Sequence, residues 1–253
     1  MKLYTKVLSI SIAGAFALIA VPSVASAAHG TAARVPYHPA ASQEVATLTA
    51  NKTTYHSPGG SRRGSVSRTR PITGEATTLP VLRTVKRGNT TWLDVRLPGR
   101  PNSHTGWITS THTNTWKIYW HIVVAVGPTT SGFSNQRRLY AFNHGKLIKQ
   151  WLIVPGAPGR TTPTGQYFIE ENISYTNDPS FPGSPYALAT SARSNTFTEF
   201  DGGPGQVALH GMGGGLYAKP GTAVSHGCVR SLNSEITWLA NRILPGTPLT
   251  IVH

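Results

Sequence analysis

Short runs of alternating or wholly apolar residues, separated by glycine, proline and asparagine, fill most of the chain and are typical of β-strands. In the second half we predict strands at residues 121–126, 138–142, 147–154, 166–169 and 206–209. The Asn-His-Gly-Lys segment at 143–146 suits backbone positions with positive φ, so the second and third of these strands are expected to form a hairpin. The last predicted strand ends just before His210.

A single helix is predicted near the carboxyl terminus, from a cap at Asn233 to the Pro-Gly pair at 245–246. Glu235 lies in its first turn, where the helix dipole favours an acidic side chain. Its apolar residues recur at helical spacing and form one stripe: Ile236, Leu239, Ala240 and Ile243. The pattern therefore predicts a mainly β fold with one main helix that packs against the sheet.

Residues 45–112 are predicted to form a small, separate β module. Brief apolar segments there alternate with turns at 57–60, 86–89 and 97–102. A Trp-x-x-Val strand at Trp92, followed by Gly-Trp-Ile at 106–108, resembles a bacterial SH3-like module, a small β-barrel. Such a module would bind wall glycan or peptide, pack on the second half of the chain, or be purely structural. If it is separate, its removal is expected to leave reactions of small substrates intact.

The amino terminus is typical of an exported protein. Lys2 and Lys6 precede an apolar run at 7–21, and small residues end at Ala27, where we predict cleavage of a signal peptide. An uncleaved membrane anchor is the alternative, although the run is short for a span of about 20 residues. Residues 28–44, rich in Ala, Pro, His and Thr, are predicted to be a flexible linker.

The chain is strongly basic, with 23 Lys and Arg against 9 Asp and Glu and a net charge of +14. Without Lys2 and Lys6 the count becomes 21 against 9, or +12. Such a balance favours a polyanionic environment. Export argues against nucleic acid as the partner, whereas bacterial walls offer carboxylates and phosphate polymers. A basic surface without a dedicated partner is the alternative.

The candidate chemistry lies around Cys228, the only cysteine in the chain. It stands in the segment Ser-His-Gly-Cys-Val-Arg at 225–230, and His210 precedes it across a glycine-rich loop. A lone thiol in an exported protein is a liability unless it is buried or used. The pattern therefore predicts a nucleophilic cysteine with His210 as general base and acid.

His210, the glycine-rich loop and the 225–230 segment resemble the signature of the L,D-transpeptidase catalytic domain (the YkuD-like family). The Arg-Thr-Thr-Pro-Thr-Gly-Gln-Tyr segment at 160–167 and the carboxyl-terminal 244–251 segment support the resemblance. It implies a transpeptidase-type β-sandwich over residues 116–252. It also implies that the Gly211 carbonyl orients His210.

The resemblance implies a defined reaction on peptidoglycan stem peptides. Cys228 would attack the amide between the diamino acid and the terminal D-alanine of a wall tetrapeptide. An amine of another stem would then accept the acyl group, giving a 3→3 cross-link, or water would accept it, giving a carboxypeptidase. Acylation by carbapenem-type β-lactams is also expected, and the protein would act in the cell envelope, touching the membrane only through its signal peptide.

Further site residues are predicted around this pair. The N–H groups of Gly227 and Cys228 are candidate oxyanion donors. Ser225 and His226 are expected to shape the pocket, and Arg230 to bind a substrate carboxylate or tie the loop. A loop at 179–185 is a candidate lid or a plain surface connection, and it is followed by Tyr186, a candidate substrate contact.

Three alternative interpretations of these residues exist. His210, His226 and Cys228 are conceivable zinc ligands, but two of them lie two positions apart across a glycine and no further ligand cluster is visible. NlpC/P60-like peptidases place the cysteine before its histidine, the reverse of the order here. A wall-binding protein with a retired site would not need the intact pair. No metal and no cofactor is therefore expected.

Overall fold

In the computed structural model, residues 38–127, 137–200 and 202–253 are described. They contain fifteen strands in two sheets and one helix. The mainly β fold expected from the sequence is confirmed. The predicted signal peptide at 1–27 and the linker residues 28–37 lie outside the described residues. No helix among the described residues is long and apolar enough to cross a membrane.

Residues 43–118, here called the first module, contain the first sheet and the loops between its strands. The sheet is antiparallel with the strand order β3-β2-β6-β5-β4-β1-β7. Its strands are β1 (Gln43–Leu48), β2 (Lys52–Tyr55), β3 (Arg62–Val66), β4 (Thr78–Arg87), β5 (Thr90–Arg96), β6 (Thr105–Thr109) and β7 (Thr113–Ile118). Strand β7 pairs along its whole length with β1. The predicted boundary between 112 and 116 falls within this strand, because its exposed polar residues gave no apolar alternation to mark it. The likeness to an SH3-like barrel stays a prediction.

The second sheet is mixed, with the strand order β10-β9-β8-β15-β11-β12-β13-β14. Its strands are β8 (Trp120–Ala125), β9 (Arg138–Asn143), β10 (Lys146–Leu152), β11 (Gly165–Ser174), β12 (Tyr186–Arg193), β13 (Gln206–His210), β14 (Val229–Arg230) and β15 (Pro248–Val252). Two pairs are parallel, β8 with β15 and β13 with β14. The predicted β9–β10 hairpin is confirmed, with φ of 50° at His144 and 74° at Gly145 in its turn.

The helix α1 (Asn233–Ala240) packs its buried residues against the second sheet, but both of its ends differ from the prediction. Leu232 is the cap, and Asn233 instead accepts a hydrogen bond from Met212 N–H at 2.8 Å. The Glu235 carboxylate accepts a hydrogen bond from the Leu232 N–H at 3.0 Å. The first turn of the helix therefore carries an acidic side chain, as predicted. The helix ends at Ala240, before the Pro-Gly pair, although the Ile243 N–H still donates to Leu239 O at 3.0 Å. Ile243, the last apolar residue of the predicted stripe, is buried as expected.

The two sheets share apolar packing. Phe168, on β11 of the second sheet, is 1% exposed and belongs to the core cluster of the first module, beside Leu48, Leu79 and Ile108. A phenylalanine buries a large apolar area, so its removal from water contributes strongly to the contact. The first module is therefore packed on the second sheet, which contributes Phe168 to its core.

A buried group of charges joins the same two parts. Arg70, in the loop after β3, forms an ion pair with Glu170 on β11, and Arg193 Nη2 lies 3.2 Å from the same carboxylate. The neighbouring Glu171 accepts the N–H groups of Ile72 and Thr73 at 3.1 and 2.8 Å. Because buried carboxylates are costly without partners, these contacts tie the loop to the sheet.

Candidate active site

Two short strands at the edge of the second sheet position the predicted catalytic residues. Strand β13 ends at His210, and β14 begins at the residue after Cys228. The strands pair in parallel with Leu209 opposite Val229, and both of these side chains are fully buried in the main core. Because side chains alternate between the faces of a sheet, His210 and Cys228 lie together on the opposite face.

The Cys228 thiol is half-buried, and its Sγ accepts a hydrogen bond from the Ala208 N–H at 3.4 Å. Burial raises the pKa of Cys228 above its ordinary value, while the Ala208 N–H and the charge of Arg230 act in the opposite direction. The thiol is therefore protonated at neutral pH, and it needs a base before it can attack a carbonyl.

His210 is buried, and its Nδ1 donates to the carbonyl oxygen of Gly211 at 2.7 Å. Since a carbonyl only accepts, Nδ1 carries the proton and Nε2 keeps its lone pair. Burial lowers the pKa of His210 to about 4, the Gly211 carbonyl opposes this shift, and the Arg230 charge adds to it. The imidazole is thus neutral at pH 7, with Nε2 as its basic nitrogen.

Ser225 holds the turn that precedes the cysteine. Its Oγ donates to the carbonyl oxygen of Cys228 at 2.5 Å and accepts the Gly227 N–H at 3.1 Å. Gly227 has a φ of +123°, which side chains rarely adopt. The Gly227 N–H, a predicted oxyanion donor, is therefore engaged inside the turn. We find no acceptor for the Cys228 N–H among the described residues.

Thr162 supports the same turn from the 160–167 segment. Its Oγ1 donates to the carbonyl oxygen of Gly227 at 2.9 Å and accepts the Gly156 N–H at 3.0 Å. A side chain at Gly156 would not fit, because its Cβ would lie 2.2 Å from the carbonyl oxygen of Arg160. The Thr-Pro-Thr-Gly segment singled out in the sequence thus fixes the backbone next to Cys228.

The 179–185 loop packs against the Nδ1 side of His210. A Cβ added to Gly183, whose φ is +94°, would lie 2.9 Å from His210 Nδ1. The loop is tied down by hydrogen bonds from Gly183 N–H to Gly213 O at 3.1 Å and from Gly211 N–H to Gly183 O at 2.9 Å. Its backbone therefore buries the imidazole, while a role as a lid stays a prediction.

Tyr186, the candidate substrate contact, supports this region mainly through its backbone. Its carbonyl oxygen accepts the Gly211 N–H at 3.2 Å, and the next residue, Ala187, pairs with His210 across the sheet. The Tyr186 side chain is half-buried and packs against the main core. The residue thus helps to hold the carbonyl that orients His210.

Arg230 lies opposite His210 on the paired strands and is half-buried. Its Nη1 donates to Leu216 O at 3.2 Å, and its Nε is buried without a partner among the described residues. Its charge lowers the pKa of both Cys228 and His210. Arg230 therefore favours the thiolate over the thiol and the neutral imidazole over the imidazolium.

His226 is exposed, and its ring lies near two phenylalanines. Its ring centroid lies 6.1 Å from that of Phe197 and 5.8 Å from that of Phe200. Both belong to residues 194–205, here called the aromatic loop, of which residue 201 lies outside the described residues. Together with Cys228, these three side chains line a shallow cleft. Among the described residues, no group of three or more His, Cys, Asp or Glu side chains is arranged to hold a metal ion.

Comparison with known proteins identifies the second half of the chain. A family model described as the L,D-transpeptidase catalytic domain (YkuD) matches residues 122–251, about half of the chain. The chain belongs to this L,D-transpeptidase family. The matched residues run from β8 to β15, and the first module precedes them.

Relatives within the family are distant. The putative L,D-transpeptidase YkuD of Bacillus subtilis (strain 168) is 27% identical over 167 residues, covering 66% of this chain and 79% of that protein. L,D-transpeptidase 3 from Mycobacterium tuberculosis is 13% identical, with a TM-score of 0.40 over 68% of this chain and 98% of that chain. The catalytic domain of the E. faecium L,D-transpeptidase is 18% identical, with a TM-score of 0.37 over 52% and 95% of the two chains.

Some residues of the candidate site give little signal in the sequence. Thr162 is marked only by its place in the 160–167 segment, and Asn233 was assigned to the helix rather than to the Met212 N–H. Phe197 and Phe200 lie in a polar stretch without apolar periodicity. Only the folded chain brings them beside Cys228.

The protonation states predict how the thiol reacts with pH. Since the pKa of Cys228 is raised, its alkylation by iodoacetamide should climb about tenfold per pH unit from pH 6 to 8, without a plateau. The His210 pKa of about 4 adds no further step in this range. Mass spectrometry of the alkylated protein, with glutathione as the reference thiol, measures the profile. A rate independent of pH from 6 to 8 would instead reveal a thiolate–imidazolium pair.

Proposed function

We propose that this member of the L,D-transpeptidase family is an exported enzyme that cross-links stem peptides of the bacterial wall. The strongest support is the shared face of β13 and β14. It carries a protonated thiol, Cys228, and a neutral imidazole, His210, whose Nδ1 proton is committed to the Gly211 carbonyl. A nucleophile beside a base with a fixed tautomer is the arrangement that acyl transfer requires.

In the first half-reaction, Nε2 of His210 takes the thiol proton as Cys228 Sγ bonds to the carbonyl carbon between the diamino acid and D-alanine. The carbon–nitrogen bond of that amide then breaks. The proton passes from His210 to the departing amine of D-alanine, and a thioester remains on Cys228. His210 thus acts first as base and then as acid, and it ends this step neutral.

In the second half-reaction, the side-chain amine of another stem peptide attacks the thioester. His210 accepts a proton from the amine, a new amide bond forms, and the proton returns to the Cys228 sulfur as it leaves. Water in place of the amine would release a tripeptide, the outcome of a carboxypeptidase. Exclusion of water from the cleft therefore decides the product.

The oxyanion of each tetrahedral intermediate needs donors near the thiol. The Cys228 N–H is the first candidate. The Gly227 N–H could donate to the oxyanion only if its hydrogen bond to Ser225 Oγ, now 3.1 Å long, were broken. Donors of this kind are worth about 3–4 kcal/mol of the barrier. In this proposal Ser225 acts through the shape of the turn, Arg230 through its charge, and His226 as part of the cleft wall.

The partners follow from the same proposal. Peptidoglycan stem peptides are the substrates, and anionic wall polymers would hold a chain that keeps a net charge of +12 without Lys2 and Lys6 near its substrate. The predicted signal peptide would deliver the protein to the cell envelope. The first module would then act mainly as a packed support of the second sheet.

Incubation of the purified protein with a disaccharide tetrapeptide ending in D-alanine tests the proposal. We expect free D-alanine and a cross-linked dimer, detected by liquid chromatography and mass spectrometry. Tripeptide without dimer would identify a carboxypeptidase. No product from a folded protein whose thiol is reactive would favour a wall-binding protein with a retired site, and the proposal would fail.

A further inference from the structure

The aromatic loop (residues 194–205) forms one wall of the cleft beside Cys228. Phe197 and Phe200 have ring centroids 5.6 Å apart, and both pack near the His226 ring. Phe200 is about half exposed. Phe197 is half-buried. A half-buried and an exposed aromatic ring next to a nucleophile offer an uncharged surface to a peptide, provided that the loop is held in place.

The first module, outside the transpeptidase match, holds this loop. Arg100 lies between β5 and β6, and its guanidinium donates to three backbone carbonyls of the loop. Nη1 donates to Pro204 O at 2.8 Å, and Nη2 donates to Ser194 O at 2.8 Å and to Phe197 O at 3.0 Å. The fork thus joins both ends of the loop and the backbone of one aromatic residue.

Asn102 adds a second attachment from the same module. Its side-chain amide donates to Arg193 O at 2.8 Å and to Asn195 Oδ1 at 3.1 Å, and its oxygen accepts the Arg193 N–H at 2.8 Å. These contacts lie where β12 ends and the aromatic loop begins. The amide therefore fixes the direction in which the chain enters the loop.

The loop's own hydrogen bonds are local. They include a reciprocal pair of N–H to O bonds between Phe200 and Gly203 at 2.9 and 3.0 Å. Ser194 N–H donates to Gly205 O at 2.8 Å, which closes the base, and the Phe197 N–H donates to Ser194 Oγ at 3.0 Å. Gly205 has a φ of +65°, and a Cβ there would lie 2.1 Å from Phe197 O, so the backbone is tightly folded at that point. Hydrogen bonds from a charged donor are roughly twice as strong as neutral ones, so the three bonds from Arg100 are the strongest that tie the loop to the first module.

Arg100 is not explained by an ion pair. Among the described residues, no carboxylate lies within ion-pair distance of its guanidinium. Its fixed fork is directed instead at neutral carbonyl groups of the aromatic loop. This is the geometry of a clamp on a backbone, for which the planar five-donor group of arginine is well suited and lysine is not.

We propose that Arg100 and Asn102 are positioning residues of the substrate cleft, through which the first module holds Phe197 and Phe200 against the stem peptide. This inference rests on the proposed function for its substrate. The restraint on the loop does not. The module then determines how tightly substrate binds beside Cys228, while His210 and Cys228 carry out the bond changes.

The test compares Arg100→Ala with Arg62→Ala, an exposed arginine on β3 of the same module that gives the same loss of charge. Hydrogen exchange reports the loop without any need for activity. In Arg100→Ala, amides of residues 194–205 should exchange at least about tenfold faster, whereas Arg62→Ala should leave them unchanged. Unchanged exchange in Arg100→Ala would overturn the proposal, even if the wild-type protein turned over no substrate.

Kinetics on the tetrapeptide separate positioning from a general structural role. Arg100→Ala should raise KM about tenfold and change kcat less than about threefold, because ground-state contacts are lost and the catalytic pair is untouched. Arg100→Lys keeps the charge but not the fork, so it should resemble the alanine variant if both fold. A fall in kcat with constant KM, or full rescue by lysine, would contradict the proposal.

Discussion

Cys228→Ala should abolish turnover, with a loss of at least about 10⁴-fold, because the chain contains no other thiol. The fold should survive, since Sγ receives only a long hydrogen bond of 3.4 Å from the Ala208 N–H. Release of D-alanine measures the activity, and a thermal unfolding transition close to wild type serves as the control.

Cys228→Ser is the sharper variant, because it replaces sulfur by oxygen in the same turn. Its hydroxyl is far less acidic than a thiol, so it should also be inactive. His210→Ala should lose about 10²–10⁴-fold in acylation and recover in part at high pH, as the thiol ionises without help. A serine variant near the wild-type rate would rule out the nucleophile, and an unchanged His210→Ala would point to another base.

Removal of residues 38–112 should unfold the remainder of the chain rather than release an active domain. The deletion would expose Phe168 and leave Glu171 without the Ile72 and Thr73 N–H groups. It would also remove Arg70 from the buried Glu170. Exposure of Phe168 alone is worth about 1.5–3 kcal/mol, and the lost ion pair and hydrogen bonds add to this, against a total stability of about 5–15 kcal/mol for a typical domain.

Single substitutions measure the contribution of Phe168 to the packing between the two sheets. Phe168→Ala should lower the free energy of unfolding by about 3–5 kcal/mol. Phe181→Ala, at a phenylalanine that is 39% exposed, should cost far less and is the matched control. Denaturant unfolding gives both values. A truncated protein that unfolds cooperatively at the wild-type midpoint would contradict the shared core and restore the independent module expected from the sequence.

Local patterns predicted much of the second sheet. The β9–β10 hairpin follows from a turn at His144 and Gly145 between two apolar runs, and β13 follows from the run that ends at His210. These features depend on neighbouring residues, so sequence periodicity and turn chemistry are enough to reveal them.

Features that depend on distant residues could not be read in this way. Phe168 looks like any apolar strand residue, and nothing local indicates that it completes the core of another sheet. Arg100 stands in a turn of the first module, about a hundred positions from the carbonyls that it binds. The cap assigned to Asn233 was wrong for the same reason, because its side chain is used by Met212.

The candidate site could be predicted only in part, because some of its properties depend on distant residues. The Ser-His-Gly-Cys segment marks Cys228, because a lone thiol beside histidine and glycine is rare outside reactive sites. The protonation states of Cys228 and His210 come from burial and from Arg230, which only the fold supplies. The sequence therefore indicates the candidate nucleophile and base, and the structure explains why the thiol and the imidazole are both neutral at pH 7.

Whole-protein mass spectrometry after incubation with a carbapenem tests the central claim most directly. The strained lactam carbonyl presents an electrophile where the scissile amide would lie, and attack by Cys228 would trap the opened ring as a thioester. We predict one adduct per chain, located in the peptide that spans residues 225–230, absent from Cys228→Ala and unaffected by zinc chelators. A folded protein whose thiol reacts with iodoacetamide but that gains no carbapenem adduct would contradict an acyl-transfer site at Cys228.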